Sequence, residues 1–245
     1  MQTFYLTDAG KVREHNEDNV IILKNSSNQV LMAVADGMGG HKAGEVASFI
    51  AINHIEVEFS LKDSFGEKQE AVNWIRNIAS EINSKIFRYT DENSESKGMG
   101  TTLVIALLTE EYLLFGNIGD SSGFVVKNGK LFKVTNDHTL VNLLVTTGEL
   151  SVEEAKSHPK KNVVMRALGA INPTEIDIFD VDTNISSILL CSDGLTSMLN
   201  NEQIEKVLNS ELSIEEKVTR LIRKSNNRGG NDNISIAYLI KESGE

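Results

Sequence analysis

The sequence predicts an α+β protein built of stacked sheets and helices, and three observations carry that prediction. Strand-like runs recur along the chain, the turns between neighbouring runs are short, and the helical segments come in pairs. The runs are NVIILK (19–24), QVLMAVA (29–35), TTLVIALLT (101–109), YLLFGNI (112–118), SGFVVKN (122–128), ISSILLC (185–191) and NISIAYLI (233–240). Several are apolar along their whole length, which predicts sheets covered on both faces. TEE at 109–111 and KNGK at 127–130 are short enough to join antiparallel neighbours.

Two helices are expected between the second and third runs. One extends from about Ala43 to Phe59. The other, AVNWIRNIASEINSKIF, places Val72, Ile75, Ile78, Ala79, Ile82 and Ile86 on one face. A second pair is expected near the C-terminus, its later member opened by a capping box at Ser213 and Glu216.

A chain of 245 residues with 40% apolar content can bury a substantial core. It has two prolines, Pro159 and Pro173, and no Gly/Ser-rich or Pro-rich linker, so one domain over residues 1–245 is expected. With 35 acidic against 24 basic residues, the net charge of −11 argues against a nucleic-acid backbone as ligand. The lone cysteine, Cys191, lies in an apolar run and is expected to be buried. MQTFYLTDAG lacks the features of a signal peptide, and no apolar run reaches the roughly 18–20 residues of a membrane span. A cytoplasmic location is expected.

The chemistry is suggested by where aspartates fall. LMAVADGMGGH delivers Asp36 at the end of an apolar strand; LLFGNIGD delivers Asp120, and SILLCSDG delivers Asp193. Asp232 stands just before the last strand, and Glu17 and Asp18 just before the first. One Asp-Gly alone is a turn signal. Asp36-Gly37 and Asp193-Gly194, however, are followed by helix or loop where a hairpin would need a second strand. Carboxylates gathered at strand ends repel one another unless a cation neutralises them, and hard oxygen ligands select magnesium or manganese over zinc. Two such ions roughly 3.5–4 Å apart form a hydrolytic centre suited to phosphoesters. Arg13 is the candidate cationic fork for the phosphoryl oxygens.

Other motifs do not hold. GMGGHKAGE lacks the order of a phosphate loop. GDSSG at 119–123 is similar to a serine-protease segment, but that class is usually secreted and disulfide-bonded. None of the five histidines falls in a zinc pattern.

Eight blocks in order resemble the metal-dependent protein serine/threonine phosphatases, the PPM or type 2C family, and its compact bacterial members in particular. They are TDAGKVREHNED (7–18), VADGMGGHKAGEVAS (34–48), GMGTTLV (98–104), NIGDSSGF (117–124), TNDHTLV (135–141), HPKKNVVMRALG (158–169), LLCSDGL (189–195) and GGNDNIS (229–235). The resemblance implies a four-layer α-β-β-α sandwich of two antiparallel sheets flanked by helix pairs. It implies Asp36 as the carboxylate bridging two core Mg2+ or Mn2+ ions, with the Gly37 carbonyl on the first ion and Asp193 and Asp232 on the second. Glu17 serves the centre mostly through water, and Asp18 occupies a neighbouring acidic position. Asp120 with Asp193 holds a third, weaker ion, and Arg13 binds phosphate.

The resemblance also bears on the surroundings of the centre. His41 is a candidate general acid, placed five residues after Asp36, not two as in animal relatives. Asn233 is expected to orient the metal loop. Thr101 and Thr102 either support the site by hydrogen bonds or simply begin a strand. Residues 146–166 match the family's flap, with a capping box at Ser151 and Glu154. His158 either meets substrate from the flap or is a solvated loop histidine, and Arg166 is placed to tie the flap to the scaffold. NIGDSSGF carries Ser122 where many relatives have an arginine.

The activity so implied is hydrolysis of phosphoserine and phosphothreonine in proteins, by direct attack of a metal-bridged hydroxide. Partners by analogy are a Ser/Thr kinase and its substrates, with the chain a monomer. The alternatives are a phosphoprotein-binding pseudophosphatase and a phosphatase of a small phosphorylated metabolite.

Overall fold

The computed structural model describes residues 1–39 and 43–241. In chain order the strands are β1 (Gln2–Asp8), β2 (Asp18–Lys24), β3 (Val30–Met38), β4 (Gly100–Thr101), β5 (Leu103–Leu108), β6 (Leu113–Ile118), β7 (Ser122–Lys127), β8 (Lys130–Lys133), β9 (Asp177–Val181), β10 (Ser187–Cys191) and β11 (Ile234–Ile240). The helices are α1 (Ala43–Ser60), α2 (Lys68–Glu92), α3 (Leu140–Thr146), α4 (Val152–Ser157), α5 (Asp193–Thr196), α6 (Asn201–Leu208) and α7 (Ile214–Asn227). One sheet has the order β1-β11-β10-β7-β8 and the other β2-β3-β5-β6-β9, with β4 added beside β3. The pairings are antiparallel, as expected from the short turns.

The near-continuous apolar strands have the predicted cause. On β3, Val30, Met32 and Val34 pack between the sheets, while Leu31, Ala33 and Ala35 pack toward α1 and α2. On β11, Ala237 and Leu239 face the other sheet, while Ile236 and Tyr238 join α6 and α7 in a third cluster. The period of two is therefore present but hidden, because both faces are apolar. Three stacked cores separate four layers, and the expected α-β-β-α sandwich is the observed one.

The helix expectations hold closely. α1 covers 43–60 against an expected 43–59, and α2 buries Ile75, Ile78, Ala79, Ile82 and Ile86 as one face, with Val72 half-buried. The capping boxes at Ser151/Glu154 and Ser213/Glu216 are both formed. β1, β8, β9 and α3 add to the expected elements. Cys191 is fully buried, as expected, and burial pushes its thiol up.

Two close backbone approaches fix the end of the sandwich where the aspartates collect. A Cβ on Gly37 would lie 2.1 Å from the Gly44 carbonyl oxygen, so the start of α1 lies directly on the end of β3. A Cβ on Gly194 would lie 2.0 Å from the Asn233 carbonyl oxygen, which clamps the segment after β10 to the start of β11. Gly194→Ala is therefore expected to cost about 2–3 kcal/mol, read as a lower urea midpoint. Gly66→Ala, whose Cβ would meet only the Glu70 side chain at 3.4 Å, is expected to stay within about 0.5 kcal/mol of the parent.

Candidate metal centre

Five aspartates converge at this end from five places in the chain. Asp18 opens β2 directly opposite Asp36 on β3. Asp120 lies in the turn between β6 and β7, Asp193 opens α5 just beyond β10, and Asp232 precedes β11. Asp18 is buried, and the other four are half-buried at the mouth of the centre.

Their electrostatics show how closely they interact. Burial lifts the Asp36 carboxyl well above its usual range, and repulsion from Asp18, Asp193, Asp120 and Asp232 lifts it further. Asp193 is pushed up to about 8 by burial and then by Asp120, Asp232 and Asp18, with Arg13 opposing. Asp120 rises to about 6, by burial first and Asp137 second. Asp18 rises to about 6 by burial, although the Ser192 hydroxyl opposes the shift by donating to Oδ2 at 2.7 Å. Glu17 is raised by burial against the pull of Arg13.

Asp18 Oδ1 is buried with no hydrogen-bond partner. An unpaired carboxylate oxygen among like charges is costly unless a cation meets it. The donor set is all oxygen, so these residues fit hard divalent cations.

Backbone hydrogen bonds hold the carboxylates in place. The Asp36 N–H donates to Thr102 Oγ1 at 3.0 Å, while Thr101 Oγ1 and the Thr102 N–H each donate to the Asp36 carbonyl at 2.9 Å. Thr102 Oγ1 also contacts Ser121 Oγ at 2.8 Å, next to Asp120. Both threonines thus support the site as well as the strand. Asn233 stitches the 9–17 loop to β11: its Nδ2 donates to the Ala9 and His15 carbonyls at 2.9 Å, and its Oδ1 accepts from the Glu17 N–H at 2.8 Å. The Glu17 carbonyl accepts from the Gly37 N–H at 3.1 Å and from Ser48 Oγ at 2.5 Å. Arg13, half-exposed, donates from Nη2 to Asp232 Oδ2 at 2.7 Å.

Sequence reading missed three supports. Ser192 and Ser48 are single hydroxyls whose partners lie 174 and 31 residues away; both stand in blocks that resemble the family, but no spacing marks what they bind. Asp137, held by Lys133 Nζ at 2.6 Å, lies close enough to Asp120 to be its strongest like-charge neighbour. It belongs to the quoted block TNDHTLV, which was the available signal.

A cleft of about 510 Å³ opens beside Asp120 and Asp193, walled by Val141, Val145, Val152, Ala155 and Lys161 among others. His158 is not among its walls. It lies half-buried at the end of α4, with Nδ1 accepting from the Lys160 N–H at 3.2 Å. Arg166 ties residues 146–166 to β9, through both Nη1 and Nη2 on Asp177 Oδ1 at 3.1 Å. Ser122 is fully buried opposite Cys191, its hydroxyl without a partner. His41 lies outside the described residues.

Among the described residues, the trio of ligand atoms within 4.8 Å of one another is elsewhere, at His54, Glu58 and Glu81. Lys85 Nζ approaches His54 Nδ1 at 3.0 Å, and an ammonium can only donate. The proton therefore sits on Nε2, which donates to Glu81 Oε2 at 2.8 Å. A cation there would have to displace it, so the trio reads as a satisfied core histidine between α1 and α2.

The family model described as "Protein phosphatase 2C" matches residues 9–235. The chain belongs to the protein phosphatase 2C family. Members of that family are metal-dependent phosphatases. Among protein phosphatase 2C relatives, the serine/threonine phosphatase stp of Listeria monocytogenes is 40% identical over 243 residues, 99% of this chain and 96% of its own length. Protein phosphatase PhpP of Streptococcus pneumoniae is 33% identical, covering 98% of this chain and 97% of its own. The crystal structure of serine/threonine phosphatase Stp1 from Staphylococcus aureus superposes with a TM-score of 0.93 at 36% identity, over 99% of this chain and 95% of that one.

The raised carboxyls set a pH dependence. Asp18, Asp120 and Asp193 bind protons more tightly in the folded, cation-free protein than in the unfolded chain, so stability falls as pH rises from about 4 toward about 8. Chelator-treated protein is expected to melt at higher temperature at pH 5 than at pH 8, with manganese restoring the loss at pH 8. A cation-free melting temperature that rises across this window would contradict the assignment.

Proposed function

We propose that this chain removes phosphate from phosphoserine and phosphothreonine in proteins, using magnesium or manganese held by the aspartate centre. The observation that supports it best is the gathering of Asp18, Asp36, Asp120, Asp193 and Asp232 at one end of the sandwich beside a phosphate-competent arginine, with four of the carboxyls raised by burial and by neighbouring negative charge. Asp36, Asp193 and Asp232 are the core ligands, with the Gly37 carbonyl and Glu17 completing the set and Asp18 adjoining it. Asp120 with Asp193 would take a third, weaker ion. Such ions, when bound, lower the pKa of a coordinated water and neutralise phosphoryl charge.

The chain's own groups do the rest. Arg13 spends one N–H on Asp232, leaving other guanidinium donors to bind two phosphoryl oxygens in a fork. Its half-exposed position lets it reach an incoming phosphate without breaking the core. Asp193, protonated near neutrality without a cation, gives up its proton when charge is neutralised beside it. The departing alkoxide needs a proton, and His41 is assigned that role; His158 is assigned to substrate contact from the flap.

Residues 1–245 act as one catalytic domain, with 146–166 as its flap. Phosphorylated proteins are the substrates, with a Ser/Thr kinase and its targets as cellular partners, and the working form is a cytoplasmic monomer. No described helix is long and apolar enough to cross a membrane.

The test is hydrolysis of a phosphothreonine peptide with manganese, with excess chelator, and by Asp193→Ala in manganese. Activity is expected only in the first, with losses of at least about a hundredfold in the others. Arg13→Ala is expected to lose about tenfold or more in kcat/KM, chiefly through KM. Activity that survives both chelation and Asp193→Ala would refute the metal reading. A folded, manganese-binding protein with no activity would favour a phosphoprotein-binding role.

A further inference from the structure

His138, between β8 and α3, has a side chain only 8% exposed and connects three segments that are distant in sequence. Its ring Nδ1 accepts from the Gly119 N–H at 3.0 Å, and its own N–H donates to the Gly119 carbonyl at 2.9 Å. Gly119 immediately precedes Asp120. The ring Nε2 lies 3.0 Å from Asp177 Oδ2, on the first residue of β9. Asp177 Oδ1 in turn accepts both Nη groups of Arg166, the last residue of the flap, at 3.1 Å. Arg166 Nη2 also donates to the Glu175 carbonyl. Finally, the His138 carbonyl accepts from the Met165 N–H at 2.7 Å.

The tautomer follows from the donors. A backbone N–H can only donate, so Nδ1 accepts and Nε2 carries the proton toward Asp177. Arg166 Nη1 lies 3.2 Å from Nε2, but two donors cannot bond. That contact is a shared approach to one carboxylate. Burial opposes the charge on Asp177, and the bonds from His138 and Arg166 outweigh it, holding the carboxyl below its usual range. Each ring nitrogen therefore has one partner, one on the Asp120 turn and the other on the flap anchor.

We infer that His138 is a positioning residue that couples the flap to the Asp120 turn through Gly119 on one side and Asp177 with Arg166 on the other. A flap drawn out of place pulls on Asp177, which turns the imidazole and shifts Gly119. The Ser122 hydroxyl has no partner and so does not brace the Asp120 turn; the neutral His138 ring does, through the Gly119 N–H. The inference that flap position tunes cation affinity at Asp120 rests on the proposed metal reading; the mechanical coupling does not.

The two nitrogens can be tested separately. In His138→Asn, Oδ1 falls where Nδ1 was, which keeps the bond to Gly119 and releases Asp177. In His138→Gln, the terminal amide reaches toward Asp177 and leaves Gly119 without its acceptor. Amide hydrogen exchange of the metal-free protein is the readout. His138→Gln should speed exchange at Gly119 by about three- to tenfold while sparing residues 146–166, and His138→Asn should do the reverse.

Coupling itself is read by a double-mutant cycle. Arg166→Ala should speed exchange at Gly119 in the His138 protein and add nothing in His138→Gln. Asp177→Asn serves in its place if Arg166→Ala does not fold. Additive effects, or both His138 variants loosening both regions alike, would overturn the inference. Manganese titration of the same variants then asks the separate question: weaker binding in His138→Gln than in His138→Asn links the turn to the ion. Unchanged binding with intact coupling would overturn the link to the ion, leaving the mechanical result standing.

Discussion

Like-charge repulsion at one end of the sandwich is the constraint around which this structure is arranged. Burial first, and then neighbouring negative charge, raises the affinity of Asp18, Asp36, Asp120 and Asp193 for protons, with Asp232 among the charges that act on each of them, and a flexible surface would relieve that strain by letting the five part. Here they cannot part. Asp18 and Asp36 are opposed across a strand pair, and the carbonyl and N–H of Asp36 are held by Thr101 and Thr102. Asp193 and Asp232 are locked by the close approach of Gly194 to Asn233. The glycines after Asp36 now have a physical reason, since Gly37 and Gly44 touch backbone to backbone and no side chain fits between.

Rigidity in the core and adaptability at the rim follow from the same plan. The carboxylates stand on strands or close to their ends, in sheets that are packed between apolar layers. Helices α3 and α4, by contrast, bury no residue, and Leu143 and Val152 are left exposed, Val152 in the wall of the cleft. A substrate would meet a fixed charge cluster on one side and a loosely packed surface on the other, joined through His138 and Arg166.

Much of this was legible in the sequence, and the gaps have physical causes. Strands β5, β6 and β10 were visible because their unbroken apolar character reports burial on two faces. β1 was hidden because its alternate residues, among them Thr3, Tyr5 and Thr7, are exposed at a sheet edge. β9 was hidden because DIFDV carries two aspartates and only half-buries its apolar residues. α3 lacks the buried face that periodicity detects. In the site, the strand-terminal aspartates stood out by recurrence, and Asn233 and Arg166 by resemblance. Ser192, Ser48 and the bridging role of His138 depend on partners brought near only by folding, so no spacing in the chain announces them.

At the centre of this structure are carboxylates that hold protons until a cation takes their place. Calorimetric titration of manganese into the metal-free protein at pH 6.5, repeated in two buffers of different ionisation enthalpy, counts the protons released on binding. Net release is expected, because Asp193 is pushed up to about 8 and is protonated at that pH, and weaker binding is expected with Asp36→Asn. Manganese binding with no proton release and no response to Asp36→Asn would contradict it.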